Sequence, residues 1–154
     1  MASSVAQTSH SMHQHHVPAV SSNRSVPSAM TADTRTAVKF PAPLKAHTLA
    51  SMRDHLHALL EINEALADQD FEKASQIAEW RLGMSSLEAH GAHESGKYMP
   101  KGMQDTGMDL HRNASRFAVS AQEAAATGDL AATLKALSKV QQSCVACHAA
   151  YRLD

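Results

Sequence analysis

Near the end of this 154-residue chain, two cysteines stand three apart with a histidine directly after the second: Cys144-Val145-Ala146-Cys147-His148, followed by Tyr151-Arg152. Two thiols at that spacing can each add to one vinyl group of a haem while the adjacent imidazole binds the iron, which reads as one covalently held haem c. Three other chemistries use a C-x-x-C pair. A thioredoxin-like redox pair opens a helix that follows a strand, whereas this pair lies near the end of a long helical pattern. A structural zinc site needs four ligands, so two histidines, His148 or others from distant segments, would have to join the thiols. A disulfide between Cys144 and Cys147 would close a very small loop across one helical turn, with poor geometry for bridging. Haem attachment is carried forward because His148 follows the pair at once and because the helical context suits it.

Other metal donors are plentiful. The chain holds 11 His and 8 Met against a single Trp. His90 and His93, three apart, are followed by Met99, Met103, Met108 and His111, which puts borderline and soft donors on one connection, as a copper site requires. Ordinary loop composition with core-facing methionines explains the same residues. A second group, His10, His13, His15 and His16 with Met12, also suits copper, although a polar tail without a ligand accounts for it equally well. Ser85, Ser86, Glu94, Asp105 and Asp109 show no nucleophile and base at a defined spacing, so the chain is not expected to be an enzyme.

The elements that must position these groups are helical. Hydrophobic residues make up 44% of the chain but aromatics only 4%, and the second half is dominated by Ala and Leu, which favours helices over a sheet. A formal net charge of −1 leaves no basic footprint for nucleic acid, and no apolar run approaches the roughly 20 residues of a membrane span. Residues 1–40, rich in Ser, Thr, Ala, Val and His and containing Pro18 and Pro27, are expected to be a flexible, disordered extension. The folded domain is expected over 41–154, opening at Phe40-Pro41-Ala42-Pro43.

Four amphipathic helices follow. The first carries Leu49, Met52, Leu56, Leu59 and Leu66 and ends near Ala67 to Gln69, with His47 and His55 off that stripe and therefore towards solvent. Asp70 caps the second, whose stripe is Ala74, Ile77, Trp80, Met84 and Leu87 and whose end lies near Gly91. A connection from His90 to about Gln104 is broken by Gly91, Gly96, Pro100 and Gly102. The third helix buries Leu110, Ala114, Phe117, Ala121 and Ala124 and stops at Thr127-Gly128. Asp129 caps the fourth, with the stripe Leu130, Leu134, Leu137, Val140, Cys144, Cys147, Tyr151. Short first and third links with a longer middle one specify an all-α, antiparallel, up-down-up-down four-helix bundle. In that order, one pole collects the end of the fourth helix, the start of the first, and the His- and Met-rich connection.

A four-helix bundle with Cys144-x-x-Cys147-His148-x-x-Tyr151-Arg152 at its C-terminus resembles the cytochrome c-prime family, the class II c-type cytochromes, over residues from about 41 to 154. The resemblance implies that Cys144 and Cys147 form the haem thioethers, that His148 is the proximal iron ligand, and that Arg152 lies near the propionates. Arg53 is a further source of charge for a propionate. Low-spin members carry a Met early in the first helix as the sixth ligand, a position that Met52 fills here, with His47 and His55 as competing donors; in high-spin members an apolar residue leaves the iron open to NO or CO. The implied function is a monohaem electron carrier with His/Met ligation, exchanging electrons with redox partner proteins, and some members form homodimers through their first two helices. The alternatives are a high-spin gas-binding protein and a haem protein with an added copper site. The His/Met-rich stretch from His90 to His111 departs from the family pattern.

Covalent haem attachment follows export, so a periplasmic location and a cleavable signal are expected. No charged and apolar signal regions precede the tail, while Ser4-Val5-Ala6 is a small-x-small pattern of the cleavage-site kind. The expectation is that the export signal lies upstream of the residues given.

Overall fold

Each long helix starts where the sequence supplies a start. In the computed structural model, which describes residues 32–154, α1 spans Ala42–Ala67, α2 Phe71–Arg81, a short α3 Ala92–Gly96, α4 Lys101–Thr127 and α5 Leu130–Ala150. Pro41 precedes α1 and Pro43 sits in its first turn, where a missing N–H breaks no helical bond. The Asp70 carboxylate accepts the Lys73 N–H at 3.0 Å and the Asp129 carboxylate accepts the Ala132 N–H at 2.9 Å. Each such cap is worth about 1 kcal/mol. Gly128 ends α4 at φ 73°, a left-handed conformation that costs glycine little.

The described part of the chain is thus mostly helical, and Asp33–Asp154 form one unit. Helix α1 packs on α2, α2 on α4, and α4 on α5. Their shared core is built from Ala58, Ile62, Leu66, Phe71, Ala74, Ala78, Leu82, Ala114, Phe117, Ala121, Leu137 and Val140. None of the helices among the described residues is long and apolar enough to cross a membrane.

Composition hides one element. Thr36–Val38 forms a strand, β1, that pairs in parallel with β2, Tyr151–Leu153, placing Thr36 opposite Tyr151 and Val38 opposite Leu153. Val38 and Phe40 are buried against Met103, with Cys147 and Tyr151 packed on the same small cluster. The folded unit therefore begins at Asp33 rather than at residue 41. A three-residue strand becomes stable only when the far end of the chain supplies its partner, so local composition reads it as part of the tail. The expected metal-binding group at His10 to His16 lies outside the described residues.

Two further expectations change. The second helix stops at Arg81 instead of continuing to Gly91, because the chain turns at Gly83 into a 3-10 turn, Met84–Ser86. A Cβ on Gly83 would lie 2.7 Å from the Glu79 carbonyl oxygen and 2.8 Å from Ser115 Oγ. Glu79 also accepts the Ser85 N–H at 3.1 Å, and Ser115 Oγ accepts the Met84 N–H at 2.9 Å, so polar side chains hold the break. Met84, on that turn, and Trp80, still within α2 but off its buried face of Phe71, Ala74, Ser75 and Ala78, are both expected in the core and are both exposed.

The first helix is rotated about its axis relative to its leucine stripe. Its buried residues are Thr48, His55, Ala58, Ile62, Ala65 and Leu66, whereas Leu56 and Leu60 are exposed and Leu49 lines the cavity described below. On α5 the buried set is Thr133, Leu137, Val140 and Ser143, with Leu130 and Leu134 exposed.

Candidate functional site

The residues that could do chemistry meet in one cavity of about 490 Å³. Its wall is drawn from the first half of α1, the stretch from Leu87 to Met99, the first half of α4, and the end of α5 with β2. These are the segments expected at a single pole. The volume lies within the roughly 300–1,000 Å³ of sites that enclose a small ligand or cofactor.

The C-x-x-C-H motif enters from α5. Cys147 and His148 are both on the wall, with Tyr151 and Arg152 following from β2. Tyr151 fits because Gly102 stands beneath it: a Cβ there would lie 2.5 Å from the Tyr151 hydroxyl. Cys144, one turn earlier, is half-buried against the main core, and its thiol donates to the Val140 carbonyl at 3.6 Å, so it is not on the wall itself. Both thiols are free, and burial pushes both pKa values up. A thioredoxin-type nucleophile needs the opposite shift, towards thiolate.

Met52, half-buried on α1, lines the same cavity, as do Met99, Met103 and Met108. Flexible thioether side chains are well suited to fit an irregular apolar partner. Arg152, Arg35 and Lys45 bring positive charge to the wall. Arg35 Nη1 donates to the His148 carbonyl oxygen at 3.4 Å, and Arg35 pairs with Asp33 at 2.7 Å, holding that carboxyl well below its usual range. Arg152 Nε is buried without a hydrogen bond, 3.6 Å from Asp33. Arg53, by contrast, is exposed and off the wall, since the residue after an inward Met52 turns by about 100° around the helix. Arg35, which the sequence reading leaves in the tail, takes its place once β1 anchors it beside β2.

The histidines sort differently from expectation. His90 and His111 line the cavity, but His93 is exposed and away from it. His55, expected in solvent, is 6% exposed and lines the cavity beside them. The ring centroids of His55 and His90 are 4.6 Å apart, those of His90 and His111 5.5 Å, and those of His55 and His111 6.3 Å. Burial, then the charges of His90 and His111, pushes the His55 pKa down to about 4. Burial lowers His90 and His111 too, opposed at His111 by its bonds to the Leu82 and Gly83 carbonyls.

A haem fits these residues on three grounds: the cavity is of cofactor size, its wall is methionine-rich with Cys147 and His148 adjacent on it, and Arg35, Lys45 and Arg152 bring positive charge to that wall. The electrostatic logic is that of a cofactor with one apolar body and two acidic groups. Comparisons with family models, with curated proteins and with solved structures find no match to this chain.

Proposed function

We propose that this chain is an exported, periplasmic monohaem c-type cytochrome of the cytochrome c-prime kind, and that it carries single electrons to and from redox partner proteins. The observation that carries the reading is the convergence of Met52, Cys147, His148 and Arg152, from opposite ends of the sequence, on one cavity of about 490 Å³. The same proposal takes α1, α2, α4 and α5 as an antiparallel up-down-up-down bundle. Neighbour-to-neighbour packing along the chain and the short links at 68–70 and 128–129 support it.

Cys144 and Cys147 would hold the group, and His148 and Met52 would donate to its iron. Bound there, a haem supplies a one-electron iron couple. The chain's own residues do the rest. Apolar wall residues such as Leu49, Leu87 and Leu110 exclude water, and the thioether of Met52 would favour the reduced iron. Arg152 and Arg35 would offset the charge of acidic groups on the ligand. Exposed His148 keeps that edge within reach of a partner's surface. Paired copies through α1 and α2 belong to the same reading, supported by exposed Leu56 and Leu60 on α1 and Trp80 on α2.

Visible spectra of the purified protein test it. The wild type is expected to keep its haem through acid-acetone extraction and to be low-spin when oxidised, with a weak near-infrared sulfur-to-iron band. Cys144→Ala or Cys147→Ala should reduce haem retention, and Met52→Ala should give a high-spin haem that binds CO. Full extraction of the haem would overturn covalent attachment. A wild type that is already high-spin and binds CO at once would replace the carrier with a gas-binding protein.

A further inference from the structure

The haem reading employs His148 and Met52 and leaves three imidazoles unused: His55 and His111, both buried, and His90, half-buried beside them. We propose that His55, His90 and His111 form a separate metal site that takes one late first-row divalent cation, Zn(II) or Cu(II), through three ring nitrogens. This goes beyond the haem reading and does not depend on it.

Ring spacing is the first observation. With metal–nitrogen bonds of about 2 Å and tetrahedral angles, coordinating imidazoles place their centroids about 5 Å apart. The three observed separations, 4.6, 5.5 and 6.3 Å, bracket that value. Among the described residues, no group of three His, Cys, Asp or Glu side chains already stands in a metal-holding arrangement. Closure therefore requires the rings to swing inwards, chiefly between His55 and His111.

Hydrogen bonding supplies the second observation. His111 Nδ1 lies 2.7 Å from the Leu82 carbonyl oxygen and 3.2 Å from that of Gly83. Carbonyls only accept, so Nδ1 carries the proton and Nε2 keeps its lone pair. Metal-binding histidines are characteristically oriented in this way, by a carbonyl on the other nitrogen. Ser86 Oγ donates to the Gly83 carbonyl at 2.7 Å, which leaves its lone pairs for His90 Nδ1 at 3.4 Å and frees His90 Nε2 in turn. His55 Nε2 is buried with no partner at all, on a side chain 6% exposed. An unpaired buried ring nitrogen is costly, and a bound cation would satisfy it.

Imidazole donors suit Zn(II) and Cu(II) rather than the hard cations that prefer oxygen. The charge of Asp54, held by Arg81 at 2.5 Å, acts on both His55 and His90 and would offset part of the cation's charge. All three rings line the cavity, so the remaining coordination position opens onto it.

The test uses the full-length protein as purified, with or without a haem, stripped of loose metal by chelator. Calorimetric titration with Zn(II) should find one equivalent bound at micromolar affinity or tighter, weakened at least tenfold in His55→Gln and in His111→Gln and unchanged in His93→Gln. The Cu(II)-loaded wild type should show nitrogen hyperfine structure from three imidazoles by electron paramagnetic resonance, reduced in His55→Gln. His90→Gln, at a half-exposed position, carries the test if His55→Gln fails to fold by circular dichroism. Absence of such binding overturns the proposal. So does binding that survives these substitutions and disappears only when His13, His15 and His16 are replaced. A metal-free His55→Gln protein with an altered haem spectrum would assign His55 to the iron instead, which also overturns it while leaving covalent haem intact.

Discussion

Lowering the pH below about 6.5 should weaken the native fold through His55 more than through any exposed histidine. Its ordinary pKa of 6.5 falls to about 4 in the folded chain, because burial disfavours the charged ring and because His90 and His111 stand beside it. Asp54 acts in the opposite sense and Arg81 in the same one. Unfolded, the ring titrates near 6.5 again, so between the two values the unfolded chain binds a proton that the folded chain does not. Stability from this residue is whole above about pH 6.5 and is lost as the pH falls towards the folded value. At about 1.4 kcal/mol per pH unit, that interval corresponds to roughly 3 kcal/mol. Against the 5–15 kcal/mol that typical domains possess, this is a large fraction. His90 and His111, also lowered by burial, act with the same sign.

Urea unfolding of the chelator-treated wild type and of His55→Gln, compared at several pH values from 7.5 to 4, isolates the effect, because carboxylate titrations common to both proteins cancel. The wild type should lose roughly 3 kcal/mol more than the variant between pH 7 and pH 4. A difference that stays flat, or a wild type that gains on acidification, would refute the placement of His55 in a dry pocket.

Two other outcomes follow from the packing. Gly83→Ala should cost about 2 kcal/mol of unfolding free energy, since the new methyl meets the fixed Glu79 carbonyl as well as two movable side chains; an unchanged urea midpoint would show that the turn after α2 is built otherwise. Sedimentation equilibrium at micromolar concentration should find a dimer that Leu56→Lys shifts towards monomer, and a monomeric wild type would remove the pairing through α1 and α2.

Much of this was legible in the chain because it rests on local chemistry. Asp70, Asp129 and Gly128 mark helix ends by their own side chains or lack of one, and all three act as expected. All five residues assigned to the face of the third helix, Leu110, Ala114, Phe117, Ala121 and Ala124, are buried. The convergence of Met52, Met103, Cys147 and His148 on one cavity follows from helix order and link length. What local reading lacked were features decided by distant partners. β1 exists only beside β2, and with it Arg35 comes to the cavity wall. The stop at Arg81 depends on Ser115, which belongs to another helix.

His55 escaped notice for a more general reason. A stripe of leucines marks the buried face only when the facing helices leave room for leucine. Here the neighbours meet through small side chains: Ala74, Ser75 and Ala78 on α2, and Ala114, Ala118 and Ala121 on α4, are all buried. Helices that touch through alanine approach closely, so the face of α1 that enters is the one bearing Ala58 and Ala65 with Ile62, and Leu56 and Leu60 turn outwards. His55 is three residues before Ala58 and seven before Ile62, which places it on that same face. The residue was therefore buried by the alanines of its neighbours rather than by its own hydropathy. An imidazole carried inside in this way, beside two others and with a nitrogen unpaired, stays there at a cost in stability. A bound cation would turn that cost into coordination energy.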